Sequence, residues 1–379
     1  MARIAIGIED VNRRGGQERV ICELLWRLAD RHEVDLICFH AEDIPARVRV
    51  LQVRDPGRSS LFLRALWFIP AASWRASRET YDVVLSQGTN LWNPTHVLAH
   101  TCQAQRSRNR RDVEWRQHPP GWRTRLEYAI RDRILFALER RLARRRRGRI
   151  IAVGAGPKRN LMRFHGLSDE EIAVADNGVD HDKFHPGLRD RWRAEIRAQL
   201  GLSDETFVPL FVGGRWEEKG LSLLIEALPH VQHADTRLVV VGSGDQEEFG
   251  RRAEAVGARE RVLFAGRTET PERFYAMADC FAFLSETEGF ALVSLEAAAC
   301  GLPLILAEGQ APPDLLEEGV NGFAVPPDPA ALAAKLDALA ADPDFRRRAG
   351  EITYQRSLSY SWDRQAQEIE AFLLRNADR

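Results

Sequence analysis

Apolar residues recur along this chain in two rhythms. Short, nearly unbroken runs, Arg3–Ile8, Glu33–Phe39, Val48–Val53, Val83–Ser86 and Thr95–His100, predict strands, and Ile150–Val153, Ile172–Ala175, Phe207–Val212, Arg237–Val241, Val262–Phe264 and Cys280–Leu284 continue the series. Between them lie stretches of helical periodicity, among them Ser60–Ala76, Pro157–His165, Phe290–Cys300 and a final amphipathic segment reaching about Asn376. Strands alternating with helices predict parallel, doubly wound α/β sheets. Ligands of such sheets gather at the carboxyl ends of the strands, so the segments after each run are where chemistry is sought.

Length and composition refine this picture. A chain of 379 residues exceeds the usual size of one core, which predicts two domains of roughly 180 residues each. The five cysteines, Cys22, Cys38, Cys102, Cys280 and Cys300, are scattered in apolar or helical stretches without a CxxC pair, as expected of buried, reduced thiols in a cytoplasmic protein. The amino terminus reads as a strand entering a polar loop, not as a secretory leader. The longest apolar run, Leu61 to Ser73, is interrupted by Arg64 and is too short for a membrane span.

Net charge is only −1, but it is unevenly placed. Between Gln103 and Arg149 sixteen arginines face five acids, a local charge of +11. Trp115, Trp122 and Tyr128 are interleaved, and Leu126, Ile130, Ile134, Leu138 and Leu142 mark one helical face. Three roles remain open for this segment: a core-facing helix with a solvated basic side, a surface resting on anionic lipid, or a nucleic-acid contact. No recognised nucleic-acid module accompanies it, so nucleic acid ranks last.

The stretch with the densest chemistry runs from Leu284 to Pro303. A strand, a loop with Gly289, and a helix from Phe290 closed by Gly301 place two carboxylates around a helix N-terminus. Unpaired N–H groups and the positive end of the helix dipole favour a phosphate there. Glu288 and Glu296 lie up to roughly 12 Å apart at ~1.5 Å of rise per residue, about the span of a nucleoside-diphosphate sugar. Taken by itself, Glu-x7-Glu also fits two solvated glutamates around a core helix.

The string Glu-Gly-Phe-Ala-Leu-Val-Ser-Leu-Glu-Ala-Ala-Ala-Cys-Gly-Leu-Pro resembles the donor-site signature of family-4 (group 1) glycosyltransferases, retaining enzymes of the GT-B fold. The resemblance implies that Glu288 contacts the donor sugar, the amides of Gly289, Phe290, Ala291 and Leu292 the diphosphate, and Glu296 the ribose. It also extends to the rest of the chain. Gly-Gly-x-Glu-Arg at Gly15 and Gly16 is similar to the first loop of the family, facing the interdomain cleft, and His100-Thr101 to its cleft histidine. In Gly213-Gly214-Arg215-Trp216-Glu217-Glu218-Lys219-Gly220, Arg215 and Lys219 match the donor-phosphate cations, with the interval one residue shorter than the commonest form. Arg267 and Thr268 would border the base. Gly154 departs from the family serine, and Asp180-His181-Asp182 in the interdomain crossing is an accidental match to the Asp-x-Asp metal motif of another fold.

The resemblance therefore implies two Rossmann-like domains facing a cleft: an acceptor-side domain at 1–183, a nucleotide-sugar domain at 184–358, and a last helix at 359–379 returning to the first. The expected chemistry is transfer of a sugar from a nucleotide-diphosphate sugar to a hydroxyl, with retention and without a metal or other cofactor. His96 and His100 lack a third ligand, so no metal site is expected. Arg215 and Lys219 would neutralise the departing phosphate, Glu288 grip the sugar and His100 position the reacting groups. The expected setting is cell-surface glycan, lipopolysaccharide or glycolipid synthesis at the inner face of the cytoplasmic membrane, with a lipid-linked acceptor. Two alternatives stand beside it: a nucleotide-sugar epimerase of similar architecture, and a non-catalytic binder of lipid or nucleic acid.

Overall fold

The computed structural model describes residues 1–57, 61–111, 115, 119–285, 291–310, 312 and 314–375. They form two compact units, Met1–Gly178 with Trp362–Arg379, and Val179–Ser361.

In the first unit β1 (Arg3–Gly7), β3 (Glu33–Cys38), β5 (Arg49–Gln52), β6 (Val83–Gln87), β7 (His96–Ala99), β8 (Ile150–Ala152) and β9 (Ile172–Val174) make one sheet, in the order β5-β3-β1-β6-β7-β8-β9. Every pairing in it is parallel. The short strands β2 (Asp10–Val11) and β4 (His40–Ala41) pair separately. Ile4, Ala5 and Ile6 are fully buried, because helices cover both faces, and this is why the strand reads as an unbroken apolar run. The strand order reverses between β1 and β6, so the connections that follow their carboxyl ends leave towards opposite faces of the sheet, the position where ligands of such sheets gather.

Trp362–Arg375 belongs to this unit. It buries Trp362, Ala366, Ile369 and Leu373, one stripe at helical spacing, and packs on the helix Gly16–Leu28. Arg27 to Asp363, Arg31 and His32 to Glu370, and the Arg19 guanidinium over the Trp362 ring fasten the pair. The Gln365 amide donates to the Ala175 carbonyl and to Asn177 Oδ1 at 3.2 and 3.0 Å.

The second unit has a single sheet of β10 (Pro209–Val212), β11 (Leu238–Val241), β12 (Val262–Gly266), β13 (Cys280–Phe283), β14 (Leu304–Ala307) and β15 (Gly322–Val325). Its order, β12-β11-β10-β13-β14-β15, reverses between β10 and β13. Phe211, Phe281 and Phe283 stack across that reversal with centroids 6.0 Å apart. Below it, the buried Asp279 anchors a row of arginines on the helix Leu188–Gln199. Its Oδ2 accepts Arg197 at 2.7 Å and the Val208 amide at 2.9 Å, and its Oδ1 accepts Arg193 at 3.0 Å.

Two details differ from the sequence reading. The donor-loop helix runs Leu292–Ala299, with Ala291 as an extended N-cap instead of a helical residue. In the arginine-rich helix Trp122–Arg145, the expected apolar face divides: Leu138 and Leu142 are buried with Val97, Ile150 and Leu161, whereas Leu126, Ile130 and Ile134 are exposed. Among the described residues the core cluster reaches only the second half of the helix, from Leu135 onward. All five cysteines are free and buried.

Candidate active site

The loops after β10 and β13 are pressed together at the reversal of the second sheet. The Leu284 amide donates to the Lys219 carbonyl at 3.2 Å, and the Ser285 hydroxyl donates to the Glu218 carbonyl at 3.0 Å. Gly220, at φ +79°, makes this possible, since a Cβ there would lie 2.6 Å from the Leu284 carbonyl oxygen. The buried Trp216 holds the loop from below, donating its indole N–H to the Gly213 carbonyl at 3.0 Å and stacking on Phe264 at 5.4 Å. On the other flank, a Cβ on Gly242 would come within 1.9 Å of the Gly213 oxygen, so a glycine is required for β11 to end where it does.

Two cations stand on this platform. Lys219 extends over the Phe283 ring, with Nζ 6.0 Å from its centroid. Arg215 is exposed, with its guanidinium 3.0 Å from Glu218, and its backbone is left-handed at φ 48°. Phe283 and Ser285 also line a pocket shared with Ala291, Ser294 and Gln310. Ala291 is the N-cap of the helix Leu292–Ala299, which among the described residues has no side-chain cap and has no acid in its first turn. A phosphate near these amides would meet partial positive charge unopposed from within that turn.

Further along the same helix Glu296 is buried, and its Oε2 accepts the Tyr275 hydroxyl at 2.9 Å. Arg267 is exposed after β12, two strands out from the reversal, and Thr268 is half-buried there, its Oγ1 accepting the Thr270 amide at 3.0 Å. The structure thus ties Arg215, Lys219, Ala291, Leu292 and Glu296 to the strand ends β10 and β13. Arg267 and Thr268 share the carboxyl edge of that sheet but lie further out. Glu288, Gly289 and Phe290 fall outside the described residues.

In the first unit Gly15 caps the helix Gly16–Leu28 and Gly16 is its first residue. Asn12 Oδ1 shapes the turn by accepting the amides of Arg14 and Gly15 at 2.8 and 3.1 Å. The Glu18 carboxylate folds over Gly15, where a Cβ would meet Oε2 at 2.0 Å. His100 follows β7 and is buried, with no hydrogen-bond partner for Nε2 among the described residues. Burial lowers its pKa to about 3, so the ring is neutral at physiological pH. His96, at the other end of β7, is also buried, with Nδ1 2.9 Å from the Thr95 hydroxyl.

Tyr275 escaped the sequence reading, and Ser285, though inside the stretch from Leu284 to Pro303, was given no role in it. Tyr275 belongs to no recognisable motif, and each of the two acts through a partner distant in sequence. Only the covering of Glu296 by the short helix Pro271–Met277 reveals the first.

Comparison with known proteins agrees with this geometry. The chain matches the family described as Glycosyl transferases group 1 over residues 193–356 and Glycosyltransferase Family 4 over residues 14–183. Among curated relatives, "D-inositol 3-phosphate glycosyltransferase" of Streptomyces bingchenggensis is 32% identical over 233 residues, covering 58% of this chain and 50% of that protein. "Spore coat protein SA" of Bacillus subtilis is 32% identical over 212 residues, covering 51% and 56%. The chain spans about half the length of these curated relatives. Among solved structures, WaaG, described as a glycosyltransferase involved in lipopolysaccharide biosynthesis, superposes with a TM-score of 0.77 at 19% identity, covering 97% of this chain and 98% of that one. HepE of Anabaena in complex with UDP-glucose does so with a TM-score of 0.73 at 20% identity, covering 99% and 100%. The two halves of the sequence, the two reversing parallel sheets and these likenesses agree: the chain belongs to the family-4, group 1 glycosyltransferases and has their GT-B fold.

Proposed function

We propose that this chain transfers a hexose-type sugar from a nucleoside-diphosphate sugar to a hydroxyl, with retention at the anomeric carbon and without a catalytic metal. The observation that carries this reading is the joining of the Lys219 loop to the Leu284–Ser285 strand end, on the same strand that leads to the helix N-terminus at Leu292. Cations and amides on one platform suit a diphosphate leaving group, whose growing charge is the main electrostatic demand of the reaction. In this reading Arg215, Lys219 and the amides of Ala291 and Leu292 stabilise the diphosphate, Glu296 accepts the ribose hydroxyls, and Arg267 and Thr268 border the base. Glu288 holds the sugar, with Gly289 and Phe290 completing the loop. Gly15 and Gly16 let backbone approach the donor, and the neutral His100 hydrogen-bonds the sugar or acceptor. Attack occurs on the face the phosphate leaves, and the phosphate takes the acceptor proton, so no enzyme carboxylate need become glycosylated.

The test is titration with UDP, GDP, ADP and their glucose conjugates, followed by slow hydrolysis and proton NMR of the released sugar. UDP-glucose heads the panel because HepE binds it. Saturable binding and first release of the α-anomer from an α-donor are expected. Binding of none of them returns the chain to the class of non-catalytic binders, and conversion of the donor sugar without an acceptor indicates an epimerase.

A lipid-linked acceptor is favoured by one feature. Trp122, Leu126, Ile130 and Ile134 recur every four residues on the exposed half of the helix Trp122–Arg145, among Arg123, Arg125, Arg131 and Arg133. An apolar ridge flanked by cations suits the headgroup region of an anionic membrane. The enzyme would then work from the cytoplasmic face. No described helix is long and apolar enough to cross a membrane.

A further inference from the structure

Three segments of the first unit, far apart in sequence, bring unlike donor atoms to one buried point. Cys102 is the N-cap of the helix Gln103–Asn109, Glu139 lies in the helix Trp122–Arg145, and His165 ends the helix Ala155–His165. Cys102 Sγ is 3.5 Å from Glu139 Oε2 and 3.8 Å from His165 Nε2, and the imidazole nitrogen is 2.8 Å from the same carboxylate oxygen. Among the described residues it is the one group of three or more His, Cys, Asp or Glu side chains gathered closely enough to share an ion.

We propose that Cys102, Glu139 and His165 form a binding site for a thiophilic divalent cation of the Zn2+ class, which staples these three helices together. A thiolate, an imidazole and a carboxylate are the donor set such ions select, whereas calcium and magnesium prefer oxygens alone. The spacing also fits. A tetrahedron with bonds of ~2.3 Å to sulfur and ~2.0 Å to nitrogen or oxygen has edges of ~3.3–3.6 Å. Two of the three observed separations lie within about 0.3 Å of that range. The third must open by roughly half an ångström as the hydrogen bond between His165 and Glu139 is replaced by two metal bonds.

The surroundings hold the ligands in place. The Gln103 amide donates to both oxygens of Glu139, at 2.9 and 3.0 Å, and Phe136 stacks on the His165 ring with centroids 5.3 Å apart. His165 Nδ1 is buried without a partner among the described residues and takes the proton that Nε2 gives up. The Cys102 proton leaves to solvent, so binding releases about one proton per ion. The site serves the fold of the first unit, and none of its three ligands is among the residues assigned to the donor.

The experiment is titration of the full chain, freed of metal by chelation, with Co2+ and Zn2+. Bound Co2+ is expected to show thiolate charge-transfer absorption in the near ultraviolet with a stoichiometry of one. Zn2+ is expected to displace it and to raise the melting temperature. Cys102→Ser should remove the charge-transfer band and weaken Co2+ at least tenfold while the far-ultraviolet dichroism is kept. His165→Gln should weaken it similarly and leave the sulfur band faint. Wild-type protein that takes up no Co2+, or takes it up without a sulfur band, overturns the proposal without recourse to any variant. A band that survives Cys102→Ser overturns it as well.

Discussion

The hydroxyl of Tyr275 donates a 2.9 Å hydrogen bond to the buried carboxylate of Glu296, so the residue assigned to the ribose is oriented by a side chain from a neighbouring helix. Tyr275 is fully buried and its hydroxyl also reaches the Val293 carbonyl at 3.3 Å, which aligns it with the first turn of the donor-loop helix. Tyr275→Phe keeps the ring packed and removes only the donor. The Michaelis constant for the nucleotide sugar is expected to rise about fivefold, corresponding to about 1 kcal/mol for a lost hydrogen bond. Steady-state kinetics with donor varied would check this, and an unchanged constant would remove Glu296 from the ribose.

Arg215→Ala and Lys219→Ala each take one positive charge from the platform. Arg215 is exposed and Lys219 half-exposed, so melting temperature should change little. Turnover at saturating donor is expected to fall by about 10²–10³, the usual loss for one electrostatic donor at a developing oxyanion. Normal turnover in either variant would show that the leaving phosphate is neutralised elsewhere.

Asp279 gathers Arg193, Arg197 and the Val208 amide in the interior of the second unit. Asp279→Ala leaves the fully buried Arg197 guanidinium without its carboxylate. A loss of about 3–5 kcal/mol is expected for one broken partner of a buried pair. Urea unfolding of the second unit's transition should register it, and a shift below 1 kcal/mol, small for such a pair, would contradict the role given to Asp279.

His96 gives the first unit a definite response to acid. Burial, and then the fields of Arg149 and Arg146, lower its pKa to about 4. In the unfolded chain it titrates near ~6.5. Between those values the unfolded chain holds a proton that the folded chain refuses, so stability is complete above the higher value and falls as pH drops towards the lower. The slope is about 1.4 kcal/mol per pH unit in that window. Denaturation midpoints compared at pH 7.5 and 5 in wild type and His96→Gln would measure it as the difference between the two slopes, because the buried His100, lowered to about 3, adds its own slope to both.

Ile130→Glu places a charge on the exposed ridge of the arginine-rich helix. Stability should stay within about 0.5 kcal/mol, as for other solvent-facing positions. Recovery with anionic vesicles in flotation should drop severalfold, while recovery with neutral vesicles remains low. Equal recovery of wild type with both vesicle types would dismiss membrane contact.

Much of the architecture was readable because buried parallel strands cannot hide. Ile4-Ala5-Ile6 and Leu238-Val239-Val240-Val241 are apolar on both faces, and such runs admit few other structures. Arg215 and Lys219 in the loop after β10, and Glu296 in the helix Leu292–Ala299, could be picked out beforehand because a short motif carries each of them. Tyr275 was not, because its partner is twenty-one residues away. The Cys102, Glu139 and His165 cluster was hidden for the same reason, since closure in space leaves no periodic trace in sequence. The arginine-rich helix shows the reverse limit. Its spacing of leucines and isoleucines was visible, but periodicity reveals a face and not where the surface beneath it ends.

Arg215 keeps a left-handed backbone at φ 48°, a conformation that costs an L-residue roughly 1–2 kcal/mol and glycine almost nothing. A laboratory lineage selected for heat resistance alone should therefore drift to Arg215→Gly, gaining ruggedness while discarding the guanidinium. Hardened descendants of this chain would be expected to survive boiling better and to make less product, which sets robustness and usefulness against each other at a single codon.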